Sequence, residues 1–168
     1  MGGGHASMTA RSAHDGVDDA VILRRILYYP RLRRVAAFVL ANLEGSLCLS
    51  GAAQVVFMND AAFSRYFTSK AGLPFSAFVR RMRVLRAMER IEAEDCNFKN
   101  LAAALGFGSV STLDRNFRSV CRCSPREYRR QILSRGADDG QRHDRIEALR
   151  RLRHSIGSLA DPSCNGSR

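Results

Sequence analysis

The longest periodic stretch of the chain covers residues 75–95 and predicts one continuous helix. Its apolar residues recur every three or four positions, which places them on one face of a helix with about 3.6 residues per turn. They are Phe78, Met82, Leu85, Met88 and Ile91. Arginines take most of the remaining surface, Pro74 stands just ahead, and Ser76 is a candidate N-cap. We therefore expect a long, rigid helix in the middle of the chain.

One pattern of residues occurs on both sides of this helix. The first copy consists of Ala53, Phe63, Arg65, Phe67 and Phe78, and the second of Ala102, Leu113, Arg115, Phe117 and Tyr128. From Phe63 onward the two copies are offset by 50 residues throughout. An internal repeat of this size predicts two similar helical units, here held apart by the long helix.

The first unit has the pattern of a helix-turn-helix over about residues 50–72. We expect Ser50 to cap a short helix at 51–56, and residues 57–59 to form a tight turn. Asn59 or Asp60 is the candidate cap of a second helix that runs to about residue 71. Gly72 then suits the left-handed conformation that ends many helices.

The second unit repeats this organisation over about residues 98–121. Asn97 is the candidate cap of a helix at 98–105, residues 106–108 form the turn, and Ser109 caps a helix at 110–120. Ser124 and Glu127 have the spacing of a capping box and predict one more helix, with Pro125 at its first position.

The second helix of each unit, which we call its reading helix, separates into two faces at about 100° per residue. The inward residues are Phe63, Tyr66 and Phe67 in the first unit and Leu113, Phe117 and Val120 in the second. The outward faces carry short polar side chains and arginines, so each helix can enter a major groove and contact base edges. The candidate DNA-binding residues are Ala61, Ser64, Arg65, Thr68, Ser109, Ser111, Asp114, Arg115 and Arg118.

Three of these residues have alternative roles. Asp114 could accept a hydrogen bond from a cytosine amino group or could orient Arg115, and we favour the second. Arg65 and Arg115 could contact guanine, or they could brace the fold through a carbonyl or carboxylate. Arg118 lies nearer the helix end and is expected to contact phosphate.

Composition favours a single all-α domain that binds a polyanion. The 168 residues are 45% hydrophobic, enough for a core, and 27 basic against 16 acidic residues give a formal charge of +11. Nucleic acid is the first candidate partner and an acidic membrane the second, although a basic surface can also serve solubility alone. No apolar run of about 18 residues occurs. We therefore expect a cytoplasmic protein with reduced thiols.

Neither an enzyme nor a metal protein is indicated. The chain has no G-x-S-x-G, H-E-x-x-H or phosphate-loop motif. Its four histidines lie outside the repeat, so Cys121 and Cys123 are interpreted as small packing residues rather than metal ligands. We expect no cofactor and no metal.

The motifs of both units resemble the AraC/XylS family of bacterial transcription regulators. The signature in the second unit consists of Leu101, Ala102, Gly106, Phe107, Ser111, Leu113, Arg115, Phe117, Ser124, Pro125, Tyr128 and Arg129. The resemblance covers roughly residues 31–131. It implies a seven-helix domain, with two helix-turn-helix subdomains of homeodomain-like type, whose third and sixth helices enter adjacent major grooves. It also implies double-stranded DNA as a partner and an activator that contacts RNA polymerase. From the rigid central helix we expect a monomer on DNA, and we expect a nucleoid-associated location.

Two residues depart from the family pattern. Phe57 occupies a turn position where the family often has glycine, which is tolerable if Phe57 packs and does not turn left-handed. Arg122 stands where glycine usually follows the sixth helix. A left-handed conformation there would cost about 1 kcal/mol, so we expect that helix end to be rearranged.

These patterns divide the chain into three parts. Residues 1–29 form a tail that begins with a sequence resembling a cloning remnant and includes a short helix at 17–29. Residues 30–133 form the DNA-binding domain, whose first helix begins at Pro30 and stops at Gly45. Residues 134–168 are an extension with a candidate helix at 142–159.

The predicted function is that of a sequence-specific DNA-binding transcription regulator, by resemblance an activator. The alternative is a protein-interaction module with a degenerate helix-turn-helix in a larger regulatory assembly, since Ala61, Ala62 and Val110 offer little for base recognition. The stretch before Pro30 is too short for a separate effector-binding domain. We therefore expect either a protein that acts alone or a fragment.

Overall fold

A computed structural model describes residues 19–45 and 47–134, and these residues form eight α-helices and no strand. The helices are α1 (Asp19–Tyr28), α2 (Pro30–Ala41), α3 (Leu49–Val55), α4 (Asp60–Ala71), α5 (Phe75–Ala93), α6 (Phe98–Ala104), α7 (Val110–Cys121) and α8 (Pro125–Ser134). The predicted all-α class is confirmed. The N-terminal remnant and the candidate helix at 142–159 lie outside the described residues. Within the described ranges, no helix is long and apolar enough to cross a membrane.

The long helix α5 lies at the centre of the core. All five residues of its predicted apolar stripe are buried, and so are Val79, Val84 and Ala87, which the stripe did not include. The reason is that α5 is covered on two sides. It packs against α2 and α4 of the first unit and against α7 and α8 of the second.

The first unit is built on an aromatic cluster between α4 and α5. The ring centroids of Phe63 and Phe67 lie 5.3 and 5.4 Å from that of Phe75, and Phe67 lies 5.5 Å from Phe78. Phe63, Phe67 and Phe78 are completely buried. Because side chains of this size dominate core energetics, the cluster fixes the orientation of α4 on the long helix.

The second unit packs against the C-terminal end of α5, partly through contacts made by α8. Tyr128 packs its ring 5.5 Å from that of Phe117 and donates a hydrogen bond from its hydroxyl to Glu92. Arg129 lies over the ring of Phe98, 4.4 Å from its centroid, and forms a 2.7 Å ion pair with Asp95. These contacts hold α6 and α7 against the C-terminal half of the long helix.

Four of the predicted helix caps are confirmed. Asn59 accepts a hydrogen bond from the backbone N–H of Ala62 at 2.8 Å, Asn97 from that of Lys99 at 2.8 Å, and Ser109 from that of Thr112 at 3.1 Å. In the capping box, the Ser124 hydroxyl accepts from the Glu127 N–H at 3.2 Å, and the Glu127 carboxylate accepts from the Ser124 N–H at 2.6 Å.

Three other predictions about helix ends are wrong. Helix α3 begins at Leu49, and its cap is Cys48, whose Sγ accepts from the Gly51 N–H at 3.3 Å, so Ser50 lies inside the helix. Ser76 does not cap α5, because Pro74 holds the N-cap position without a side-chain hydrogen bond. Helix α2 ends at Ala41, before Gly45, because the Asn42 side chain donates to the carbonyl of Phe38 at 2.8 Å.

Both departures from the family pattern adopt the left-handed conformation. Phe57 has φ 58° and its side chain is 91% exposed, so the expectation that it packs is wrong. Arg122 has φ 60° and its N–H is bonded to the carbonyl of Arg118 at 3.0 Å, so α7 ends without the expected rearrangement. Each position carries strain of about 1–2 kcal/mol for a residue with a Cβ atom.

The turns of the two helix-turn-helix units can be aligned by an equivalent backbone hydrogen bond in each. In the first, the N–H of Met58 donates to the carbonyl of Ala53 at 3.0 Å; in the second, the N–H of Phe107 donates to Ala102 at 2.9 Å. Phe57 therefore corresponds to Gly106, which also has positive φ (68°). The second turn then has one additional residue, Gly108, before the next helix is capped.

Candidate nucleic-acid interface

Helix α4 presents its predicted outer face to solvent. Phe63 and Phe67 are completely buried against α5, and this fixes the rotation of the helix about its own axis. The four candidate residues on the opposite side are all exposed, namely Ala61, Ser64, Arg65 and Thr68. The face is narrow because its side chains are short, and Arg65 is its longest side chain.

Helix α7 has the same rotation relative to its core. Leu113 and Phe117 are completely buried. The exposed candidates are Ser109, Ser111, Arg115 and Arg118, while Asp114 is half-buried. The Ser109 hydroxyl is engaged by the Thr112 N–H and lies 2.9 Å from the Thr112 hydroxyl. Its main role in the described structure is therefore to begin the helix.

Asp114 binds Arg118 and not Arg115, so the predicted orientation of Arg115 by Asp114 is wrong. The Nε–H of Arg118 donates to Asp114 Oδ2 at 2.9 Å, and Nη1 lies 3.9 Å from Glu127 Oε2. The hydrogen bond to Asp114 raises the pKa of Arg118 above its usual value. The signal for this pair was present in the sequence, since residues four apart on a helix are neighbours.

Arg65 and Arg115 occupy equivalent positions on the two reading helices and are both exposed. Neither makes a hydrogen bond or ion pair with another residue of the described ranges. The alternative in which they brace the fold therefore has no contact to support it among those residues.

The arginines of α5 behave differently, because most of them hold the fold together. Arg90 forms 3.1 Å ion pairs with Glu44 and Glu94, and these raise its pKa. Arg86 pairs with Glu89 at 2.9 Å. The pairs with Glu89 and Glu94 lie three and four residues apart on one helix and are visible in the sequence, whereas the pairing of Arg90 with Glu44 arises only in the folded chain.

Arg83 joins the two halves of the molecule. Its Nη1 donates to the carbonyl of Gly106 in the second turn at 3.1 Å, and its Nη2 donates to the carbonyl of Gly45, which follows α2, at 3.3 Å. Partial burial lowers the pKa of its guanidinium. A Cβ atom at Gly106 would lie 2.9 Å from Arg83 Nη2, so a side chain there would displace the guanidinium in addition to straining the left-handed φ angle.

A cleft of about 510 Å³ separates the two reading helices. Its walls include Ser64 of α4 on one side and Thr112 and Asn116 of α7 on the other, and Arg80 and Arg83 of α5 contribute its cationic groups. Arg80 is not among the DNA-binding residues predicted from the sequence. It lies near the start of α5, in the cleft between the outer faces of α4 and α7.

Two helix-turn-helix units on one central helix define the class of this fold, and comparison with known proteins finds the same class. Residues 52–131 match the family model described as a helix-turn-helix domain. A solved AraC-type transcriptional regulator from Chromobacterium violaceum has the same fold, with a TM-score of 0.59, 24% identity, and coverage of 64% of this chain and 96% of that one. The predicted resemblance to an AraC-type DNA-binding domain is therefore confirmed.

Two further proteins extend the comparison. The DNA-binding domain of AdpA, a global transcriptional factor solved in complex with a target DNA, is 29% identical, with a TM-score of 0.54, and the match covers 58% of this chain and 87% of that domain. The regulatory protein PocR of Salmonella typhimurium strain LT2 is 29% identical over 102 residues, which are 61% of this chain and 34% of PocR. The chain spans less than half the length of the curated relatives it matches.

Proposed function

We propose that this protein is a sequence-specific DNA-binding transcription regulator that inserts α4 and α7 into adjacent major grooves. The single observation that carries this proposal is the pair Arg65 and Arg115, exposed at equivalent positions and without a partner among the described residues. The likeness to the AdpA domain, whose structure contains its target DNA, supports the same class of partner.

Recognition would combine base contacts with phosphate contacts. A guanidinium at Arg65 or Arg115 can donate two hydrogen bonds to O6 and N7 of a guanine. The short neighbours Ser64 and Ser111 let each helix approach the base edges closely. We expect Thr68 and Arg118, farther along each helix, to contact the DNA backbone. The formal charge of +11 favours association with DNA generally.

The central helix implies an asymmetric target that is bound by one monomer. Helix α5 has 19 residues, which corresponds to a length of about 28 Å. Adjacent major grooves on one side of a duplex are about 34 Å apart. One copy of the chain can therefore supply both reading helices, to two sequence elements about ten base pairs apart.

The family resemblance and the relatives support a regulatory role. We propose that the protein activates transcription, that it contacts RNA polymerase, and that it acts in the bacterial cytoplasm on nucleoid DNA. A relative named as a regulatory protein, PocR, supports regulation without specifying its direction.

Selection of bound sequences from a random duplex pool tests the proposal. The unaltered chain should enrich one asymmetric motif. Arg65→Ala should relax the preference at one element and Arg115→Ala at the other, each by about 1–3 kcal/mol of discrimination. Arg118→Ala is the matched control, because loss of a phosphate contact should lower affinity for all sequences together.

Thermal melting separates base recognition from structural support. Neither Arg65→Ala nor Arg115→Ala should lower the melting temperature, because neither side chain has a described partner. An Arg65→Ala variant that melts several degrees lower and keeps its base preference would show that the assignment is wrong.

The alternative, a protein-interaction module, has one specific observation in its favour. Phe57 places a large aromatic ring almost fully in solvent at the turn of the first unit, and exposed aromatic side chains are enriched at protein interfaces. Binding of a duplex that is insensitive to salt between low and physiological concentration would favour this alternative, since phosphate contacts release counterions.

A further inference from the structure

The cleft between the two reading helices is cationic and contains no carboxylate among its lining residues. Its apolar floor, which includes Phe75 and Val79, is overlaid by hydroxyl, amide and guanidinium groups. Most other arginines of α5 in the described ranges face acidic partners. A pocket with cations and hydroxyl groups but no acid fits an anionic occupant.

The two arginines of the cleft are not equivalent. Arg83 is held by the carbonyls of Gly45 and Gly106 and is half-buried. Arg80 is exposed, and no hydrogen bond or ion pair joins it to another residue of ranges 19–45 and 47–134. Of these two guanidinium groups, Arg80 therefore has donors available for a ligand, while Arg83 provides fixed positive charge behind it.

The position of the cleft restricts what that ligand can be. Ser64 belongs both to the cleft and to the outer face of α4, and Thr112 lies beside Ser111 on α7. A duplex that contacts both outer faces must therefore pass over the mouth of the cleft. Between two successive major-groove segments on one side of a duplex lies the minor groove, which is bordered by phosphates of both strands.

We propose that the cleft binds the DNA phosphate backbone where it crosses between the two major grooves, and that Arg80 is the side chain that contacts it. The inference rests on the proposed function and extends it to the cleft between the two reading helices. Arg80 contributes affinity there without sequence preference, because phosphates carry no base identity.

The salt dependence of binding by an Arg80→Ala variant is the first test. Each phosphate contact contributes about 0.9 to the slope of log K against log salt concentration, so the slope should become shallower by about that amount. The matched control is Arg34→Ala, which removes the same charge from an exposed position of α2 that also lacks a described partner. Its slope should stay closer to that of the unaltered chain, and both variants should melt at the unaltered temperature.

A thermodynamic cycle with modified DNA locates the contact. Duplexes carrying neutral methylphosphonates at the central phosphates, midway between the two selected elements, should bind the unaltered chain several-fold more weakly. The same modification should have little effect on binding by Arg80→Ala, because the contact is already absent. Methylphosphonates outside the two elements provide the control duplex.

The outcomes separate this inference from the proposed function. If the central modification weakens both proteins equally, or if Arg80→Ala keeps the full salt slope, the cleft does not bind phosphate and only this inference is overturned. If the unaltered chain selects no sequence from a random pool, the proposed function fails, and the inference fails with it.

Discussion

The two helix-turn-helix units place their non-glycine left-handed residues at opposite ends of the reading helix. In the first unit, Phe57 takes this conformation in the turn, and Gly72 ends α4 with φ 84°. In the second, Gly106 lies in the turn and Arg122 ends α7. Each unit thus needs a left-handed residue at both ends and supplies glycine at only one.

The neighbours of each position explain part of this difference. Gly106 lies against the guanidinium of Arg83, which would have to shift to accommodate a side chain there. The Phe57 ring extends into solvent, so a side chain is tolerated there at the cost of backbone strain alone. Left-handed φ is therefore a requirement of the topology, and a side chain at Gly106 would in addition displace Arg83.

The outer faces of the units differ in charge as well. Helix α4 carries one free arginine on its outer face, Arg65. Helix α7 carries the free Arg115 together with Arg118, whose charge is offset by Asp114. We therefore expect Arg118 to contribute less to phosphate binding than an arginine without an acidic partner would.

The largest expected effect comes from deleting the equivalent core aromatics, Phe67 and Phe117. Replacement of a buried phenylalanine by alanine costs about 3–5 kcal/mol. Because α5 packs against both units, we expect Phe67→Ala and Phe117→Ala each to lower the stability of the whole domain. Amide hydrogen exchange resolved for α4 and α7 measures this. Loss of protection in only the mutated unit would show that the units unfold independently.

A smaller effect is expected when glycine is removed from the second turn. Gly106→Ala adds strain of about 1–2 kcal/mol from its φ angle and forces Arg83 to move. The control is Phe57→Ala, which keeps a Cβ atom at the equivalent position and should change the free energy of unfolding far less. Urea denaturation compares the two variants, and equal losses would contradict the role given to Arg83.

The reverse substitutions should stabilise the protein. Phe57→Gly and Arg122→Gly each relieve left-handed strain and should raise the free energy of unfolding by about 1 kcal/mol. The two positions lie in different units, so the effects should add in the double variant. A decrease in stability for Phe57→Gly would mean that the exposed ring makes contacts in solution that favour the folded state.

The smallest expected effect is a loss of stability at low pH that comes from the N-terminus of α8, the helix that follows the second unit. Helix α8 begins with the capping box of Ser124 and Glu127, whereas Pro74, the residue equivalent to Ser124, gives α5 no side-chain cap. The backbone N–H of Ser124, with its hydroxyl, lowers the pKa of Glu127. The folded state therefore gains stability above the ordinary carboxyl pKa and loses it as pH falls through the lowered value.

Melting temperature as a function of pH below about 5 measures this contribution. Glu127→Gln should flatten part of the acid-induced decrease, while the decrease should persist in a Glu44→Gln control, whose carboxylate lies on the α2–α3 connection. An unchanged pH profile in Glu127→Gln would exclude the capping box as a source of acid sensitivity.

Much of the fold was predictable because local rules and packing agree. The stripe of α5, the inward faces of α4 and α7 and the side-chain caps Asn59, Asn97 and Ser109 follow from periodicity and hydrogen-bonding chemistry. The wider burial of α5 did not, because a helix covered on two sides has apolar residues beyond any single stripe. The choice of Cys48 over Ser50 depends on where the loop before α3 ends, which no residue pattern specifies.

The sequence predicted which residues lie on the outer faces of the reading helices. It did not predict which of them form ion pairs with each other. The outer faces could be predicted from helical periodicity, because the buried phenylalanines fix which side of each helix faces the core. Whether Asp114 turns towards Arg115 or Arg118 depends on side-chain rotamers. The distinction between Arg80 and the internal arginines of α5 depends on acidic residues from distant segments, such as Glu44, which become neighbours only in the folded chain.

The additional residue in the second turn also bears on how repeated units tolerate insertions. An insertion within either reading helix would rotate everything after it by about 100° and carry core residues to the surface. At Gly108, with φ 72° and open space around its Cα, the extra residue is absorbed before Ser109 starts the helix. A chain of this type can therefore change length at the turn while keeping the rotational phase of the helix that follows, and an alignment of the two units places its gap there.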